Sequence, residues 1–316
     1  MPPNGVIQLA FDRYLLPASV NRQSFVLLDA SNNVVAPEKQ PEVSYDPVAR
    51  VVILSGRDGL GKPWLDDTLV YKVLIQVGPE PSGGVRSLDG ATLDPKQERL
   101  IAFGVNQKVA AQPSPPDVDF CVDVLPIFVA KCSAPACHGT IRGGDQRPAA
   151  GLILETSAGI ANTAIGRVAH GANTGGVSGH PSPAGPVFAV DMPLIDPGNP
   201  GNSWLVYKME LAAPPAAIDG GTTIACQGVA DGGTFPPPAE SYVPLVDAST
   251  NAGDGERITL GGFVIGQPMP YPVLPTTAPA YDNLPLTFDE REAVRLWIAS
   301  MPANGQIRDC GACVAP

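Results

Sequence analysis

Basic residues are scarce in this chain of 316 residues: 20 Lys and Arg stand against 31 Asp and Glu, a formal net charge of −11. Binding that relies on neutralising nucleic-acid phosphates is therefore not expected. Histidine is scarcer still, with three residues, so chemistry built on imidazole has few candidates. No apolar run reaches the roughly 18 residues needed for a membrane-spanning helix. No Ser-His-Asp ordering, P-loop, dinucleotide fingerprint or zinc-protease helix is present, which removes the commonest hydrolase, NTPase and dehydrogenase signatures. Charged residues make up only 16% and aromatics 6%, while Gly and Pro number 34 and 36. That balance excludes a coiled coil or long-helix protein. The hydrophobic fraction of 44% argues for folded cores, and the length allows two of them.

What is present is unevenly spread. All six cysteines, most of the Gly and Pro and most of the negative charge lie beyond residue 103. Two regions of different character are expected, with the boundary near 104–118.

The first region reads as all-β. Short β-rich runs recur at 6–11, 24–28, 42–45, 50–54, 68–77 and 99–103. In the first run Ile7, Leu9 and Phe11 alternate with Gln8, Ala10 and Asp12, as a half-buried strand requires. Asn32-Asn33, Asp46-Pro47, Asp58-Gly59 and Asp89-Gly90 supply turn signals between runs. Six or seven such strands predict a small antiparallel sandwich over 1–104. Residues 105–119, with a Pro-Ser-Pro-Pro core, predict a stiff exposed linker.

The informative segment is FCVDVLPIFVAKCSAPACHG, residues 120–139. Val124, Ile127, Phe128 and Lys131 recur at helical spacing, and Pro126 suits a first turn, so a short helix is expected to lead into Cys132. Two cysteines with a histidine directly after the second follow the logic of c-type haem attachment. Each thiol can add across a vinyl group as a thioether, and the adjacent imidazole can reach the iron. Four residues separate Cys132 from Cys137, where the usual gap is two. At 286–300, Thr287 and Glu290 predict a capping box, with Val294, Trp297 and Ile298 on one face of the helix.

From about residue 121 to 304 the chain resembles the cytochrome-c-like haem-binding domains of exported bacterial proteins. The likeness rests on VLPIFVAKCSAPACHG, on GLIL at 151–154, on IDPGNPGNSWLVYKM at 195–209, on GQPMPYP at 266–272 and on LTFDEREAVRLWIASMPANG at 286–305. In that group the Cys-His unit opens the domain, a Met-Pro pair precedes the last helix, and that helix carries a Trp-Ile near its end. The resemblance implies a mainly α, loop-rich domain over 120–309 carrying one haem c. It implies Cys132 and Cys137 as the thioether attachments, His138 as the proximal iron ligand and Met269 as the distal one. His/Met ligation would raise the potential of an Fe(III)/Fe(II) couple. The preceding region resembles bacterial Ig-like domains through IQLAFDRYLLPASV, VSYDPVARVVIL, LVYKVLIQV and SLDGATL, which implies a spacer or docking module.

Rival readings attach to each residue. Met192, also followed by Pro, competes with Met269, and His170 would give a bis-histidine haem of lower potential; His180 reads as a loop residue. Cys132 and Cys137 could close a small disulfide, or join His138 on zinc, for which no well-spaced fourth ligand is apparent. Cys121, Cys226, Cys310 and Cys313 form an even remainder that suits two structural disulfides, with three pairings open. The Cys-Gly-Ala-Cys tail over 310–316 lacks a following His. Residues 212–266 read as a Gly/Pro-rich insertion of poor periodicity, tied down by Cys226; Asp219, Asp231, Asp247 and Asp254 lack EF-hand spacing. No leader opens the sequence, yet the cysteines suit an oxidising compartment. The expectation is a periplasmic or cell-surface protein whose export signal has been removed.

The function this predicts is single-electron transfer by an exported c-type cytochrome rather than turnover of a substrate. Its acidic haem domain would favour a redox partner with a basic docking face. The alternatives are a disulfide-stabilised surface interaction module without cofactor, and a haem enzyme or sensor with an open distal site.

Overall fold

The computed structural model describes residues 1–57, 62–78, 83–110, 117–134, 137–139, 148–169, 187–188, 190, 192–212, 254–266, 268–270 and 285–310. The chain forms two compact units that divide between residues 114 and 115.

Among the described residues the first unit holds six strands: β1 (Ile7–Ala10), β2 (Phe25–Asp29), β3 (Glu42–Asp46), β4 (Val51–Ser55), β5 (Val70–Ile75) and β6 (Leu100–Gly104). They form two three-stranded antiparallel sheets, ordered β1-β4-β3 and β2-β5-β6. Period-two alternation sets the register, since a slip of one residue would turn the apolar set outward. Leu9 lies opposite Val52, Leu27 opposite Val73, and Tyr45 opposite Val52 from the other side. Phe25, Leu27, Tyr45, Val52, Leu54, Tyr71, Val73 and Ile75 share one buried core, so the two sheets pack on each other's inner faces. The β3–β4 turn is closed by the Asp46 carboxylate, which accepts from Val48 and Ala49 N–H at 2.9 and 3.0 Å. All six runs anticipated from alternation are strands. The expected linker starts later than residue 105, however. Val105 is buried in the β core, and the Asn106 N–H donates to the Met1 carbonyl at 2.9 Å.

The second unit contains five helices among the described residues: α1 (Leu125–Cys132), α2 (Ser157–Thr163), α3 (Trp204–Glu210), α4 (Asp254–Phe263) and α5 (Phe288–Ser300). A π-helical turn, Phe120–Val124, runs straight into α1. Asp119 starts it: its carboxylate accepts from Cys121 and Val122 N–H at 2.8 and 3.2 Å, so the end of the expected linker is the cap of this unit. Burial lifts the Asp123 carboxyl above its ordinary range. Pro126 sits in the first turn of α1, as expected.

Thr287 and Glu290 form the capping box of α5, with bonds of 2.8 and 3.2 Å. Trp297 stacks on Phe120 at 4.9 Å between centroids and meets Phe128 edge-on at 5.9 Å. Its face therefore docks α5 on α1, as the spacing suggested. A buried ion pair, Arg291 to Glu210 at 3.2 Å, joins α5 to α3. Arg291 also donates to the Ala212 carbonyl at 2.7 Å. The disulfide Cys121–Cys310 joins positions 189 residues apart and fastens the start of this unit to its far end. That resolves one of the three pairings left open; Cys226 and Cys313 lie outside the described residues.

One expectation needs correcting. The stretch 212–266 is not aperiodic throughout, because its last part is α4, anchored by buried Leu260 and Phe263. Phe263 stacks on Phe188 at 5.4 Å. Three glycines within those ten residues masked the helical pattern.

Candidate functional site

Helix α1 ends at Cys132, and the chain then turns back on itself. The Cys137 N–H donates to the Ala134 carbonyl at 2.7 Å, and the His138 N–H donates to the Cys132 carbonyl at 3.0 Å. This second bond holds the imidazole-bearing residue beside the first thiol. Ser133 closes the helix end by donating from Oγ to the Phe128 carbonyl at 2.9 Å. The segment 149–154, which opens with a 3-10 turn at Ala149–Gly151, then locks the turn. Ala149 N–H donates to the Cys137 carbonyl at 2.7 Å, and Leu154 N–H donates to the His138 carbonyl at 2.9 Å.

Gly139 is sterically required in this turn. A Cβ there would lie 2.2 Å from the Ser133 carbonyl oxygen, well inside contact distance. Gly139→Ala is expected to cost about 1–3 kcal/mol of the second unit's stability, the usual penalty of overpacking, and to displace His138. Calorimetric unfolding of the variant against the parent chain measures it.

His138 is buried, and its Nδ1 lies 3.2 Å from the Ala149 carbonyl oxygen. The carbonyl can only accept, so Nδ1 carries the proton and Nε2 keeps its lone pair. Burial lowers the pKa of the ring, against the pull of the Ala149 and Leu152 backbone. A neutral imidazole with one free lone pair is the form that binds metal.

Cys132, Cys137, His138 and Met269 line the wall of a single cavity of about 650 Å³. That lies within the roughly 300–1,000 Å³ typical of small-molecule and cofactor sites. Leu152, Leu154, Val168, Leu194, Trp204 and Leu205 supply apolar wall. Its charged lining among the described residues is cationic: Lys131, Arg167 and Lys208, with no carboxylate. In a chain of net charge −11 this is a local inversion of sign. Lys131 reaches Glu290 at 3.7 Å, and Arg167 donates from Nε to the Asn162 carbonyl at 3.0 Å. Burial brings the Lys208 ammonium down to about 8.

Both cavity cysteines are free thiols, so the structure does not form the small disulfide considered from the sequence. Burial pushes the Cys132 thiol up to about 12, and raises Cys137 as well. At pH 8 a pKa near 12 leaves only about 10⁻⁴ of the Cys132 thiol ionised. Iodoacetamide at that pH is therefore expected to label Cys137 well ahead of Cys132 in the unmodified chain, as read by peptide mass spectrometry. Equal labelling of the two would contradict the burial argument.

The remaining candidates fall elsewhere. Met192 is fully buried in the core and does not line the cavity. His170, His180, Cys226 and Cys313 lie outside the described residues. Among the described residues, no group of three or more His, Cys, Asp and Glu is placed to hold a metal ion. Trp297 packs on Phe120 and Phe128 and does not line the cavity. The indole on the cavity wall is Trp204, which the sequence did not single out. Trp204, Leu205, Lys208 and Met209 line it from one side of α3. Their i, i+4 spacing was the available signal, but a helix of seven residues gives it little weight.

No family model, no curated protein and no solved structure matches the chain.

Proposed function

We propose that this chain is an exported c-type cytochrome that carries one covalently attached haem and transfers single electrons. The observation that carries the reading is the convergence of two free thiols, a neutral imidazole and a thioether on one cofactor-sized cavity. Three of these come from residues 132–138 and the fourth from residue 269, so the meeting is a tertiary event that motif spacing does not guarantee. The donor set suits an iron porphyrin. Cys132 and Cys137 would hold the macrocycle as thioethers, each S–H adding across one vinyl C=C bond. His138 and Met269 would hold the iron, nitrogen on one ligand and soft sulfur on the other. When bound, haem c supplies a one-electron Fe(III)/Fe(II) couple.

The chain's own residues prepare the site. The Ala149 carbonyl orients the His138 ring. Leu152, Leu154 and Leu194 keep the wall apolar, which limits solvent at the metal and favours the less charged state. Lys131 and Arg167 would present positive charge to the carboxylates of a haem. The N-terminal pair of packed sheets supports the reading of an Ig-like spacer. A disulfide at 121–310 suits an oxidising, periplasmic or extracellular location. The overall acidity favours a redox partner with a basic face.

The test is a visible spectrum of the chain matured with a cytochrome c assembly system. A sharp reduced α band that resists acid-acetone extraction is expected. A colourless, iron-free product would overturn the reading in favour of a cofactor-free interaction module. A high-spin spectrum that changes with CO would replace it with a haem enzyme or sensor open on the Met269 side.

A further inference from the structure

Met269 reaches the cavity beyond the end of α4, and the described residues 264–266 and 268–270 have no regular structure. Something must hold it there, because a free loop would hold its sulfur in place only at a large entropic cost. The contacts that hold it converge on one residue of α3. The Lys208 ammonium donates to the Ile265 carbonyl at 2.6 Å. The Met269 N–H donates to the Lys208 carbonyl at 3.3 Å. That carbonyl lies in the last turn of α3. Between the two contacts, Gly266 takes φ +91°, and a Cβ on it would stand 3.2 Å from Lys208 Nζ. Glycine therefore both makes the turn and leaves the room that the ammonium occupies.

We infer that Lys208 is a positioning residue that clamps the 265–269 segment to α3 and so fixes the Met269 sulfur at the cavity, a role that rests on the haem reading only for its functional meaning. The clamp has two jaws. The backbone jaw is made by any residue at 208. The side-chain jaw requires a long cationic donor, so substitution separates them. Lys208→Met keeps the length and the apolar stem and removes the donor; Lys208→Arg keeps a donor.

The experiment uses the full chain. In haem-free protein, amide hydrogen exchange of peptides covering 264–270 is expected to speed up about tenfold in Lys208→Met, the usual scale for a lost charge-assisted hydrogen bond. Peptides from α1 should be unchanged, and Lys208→Arg should exchange near the parent rate. Should Lys208→Met fail to fold, judged by exchange in α1, Lys208→Gln carries the same comparison. In matured protein the variant is Lys208→Leu, which brings no second thioether to the cavity; it should lose most of the methionine-to-ferric charge-transfer band while keeping one covalent haem per chain. Lys208→Arg should retain the band. Unchanged exchange over 264–270 overturns the clamp whether or not haem is present. Faster exchange with an intact band overturns it too, since the sulfur is then held without Lys208. A parent chain that matures without haem overturns the proposed function, and the exchange measurement still decides the clamp.

Discussion

Replacing His138 by alanine is expected to leave the matured chain without its visible spectrum. The imidazole is buried at the end of the α1 turn, its Nδ1 is engaged by Ala149, and it is the sole imidazole on the cavity wall among the described residues. Losing even an outer-shell partner of a metal ligand costs about 10–100-fold in affinity, so loss of the ligand itself should lower haem iron per chain by more than about 100-fold. The fold should survive, because Ala can make both backbone bonds of residue 138, to Cys132 and from Leu154. Iron analysis and the pyridine haemochrome spectrum read the loss, with far-ultraviolet circular dichroism as the control. A His138→Ala chain that kept full iron and an unchanged reduced spectrum would remove His138 from the site.

The second large effect concerns Cys121 and Cys310. Their bond closes a loop across 189 positions, and chain-entropy arguments give such a closure about 5 kcal/mol. For a unit of this size, that corresponds to a fall in melting temperature of about 10–20 °C. Cys121→Ser and Cys310→Ser should each produce it, and the double variant should add little, because either change alone opens the ring. The β unit contains no cysteine, so its own transition serves as an internal reference in calorimetry. If neither variant moved the transition of the second unit, the link would have no stabilising role.

Much of this architecture is local and therefore legible. Alternation in Ile7-Gln8-Leu9-Ala10 placed β1, and its outward residues are Gln8 and Ala10. The Thr287–Glu290 pair announced the start of α5 to the residue. Cys132, Cys137 and His138 are close in sequence, so a pattern could single them out, and Met269 came with the resemblance. What stayed hidden was long-range or compositionally disguised. The pairing of Cys121 with Cys310 depends on where a distant chain end packs. Helix α4 carries three glycines and leaves Ile258 exposed, and it is held by burying Leu260 and Phe263 rather than by propensity. Nothing in the sequence singles out Lys208 and Arg167, which α3 and the 164–169 segment put on one wall. Val105 looked like the first linker residue because Pro-rich sequence follows it, yet it completes the β core.

The pairing of Cys121 with Cys310 also bears on how the polypeptide is made. Translation and translocation proceed from the amino end, so Cys132, Cys137 and Cys226 all emerge before the true mate of Cys121. An oxidant acting early would marry neighbours and capture the two thiols that the cavity needs. Correct oxidation must wait until residue 310 has been delivered, whereas an occupant that consumes Cys132 and Cys137 beforehand leaves Cys121 with fewer wrong choices. On the proposed haem reading, attachment and oxidation would then form an ordered sequence of maturation steps.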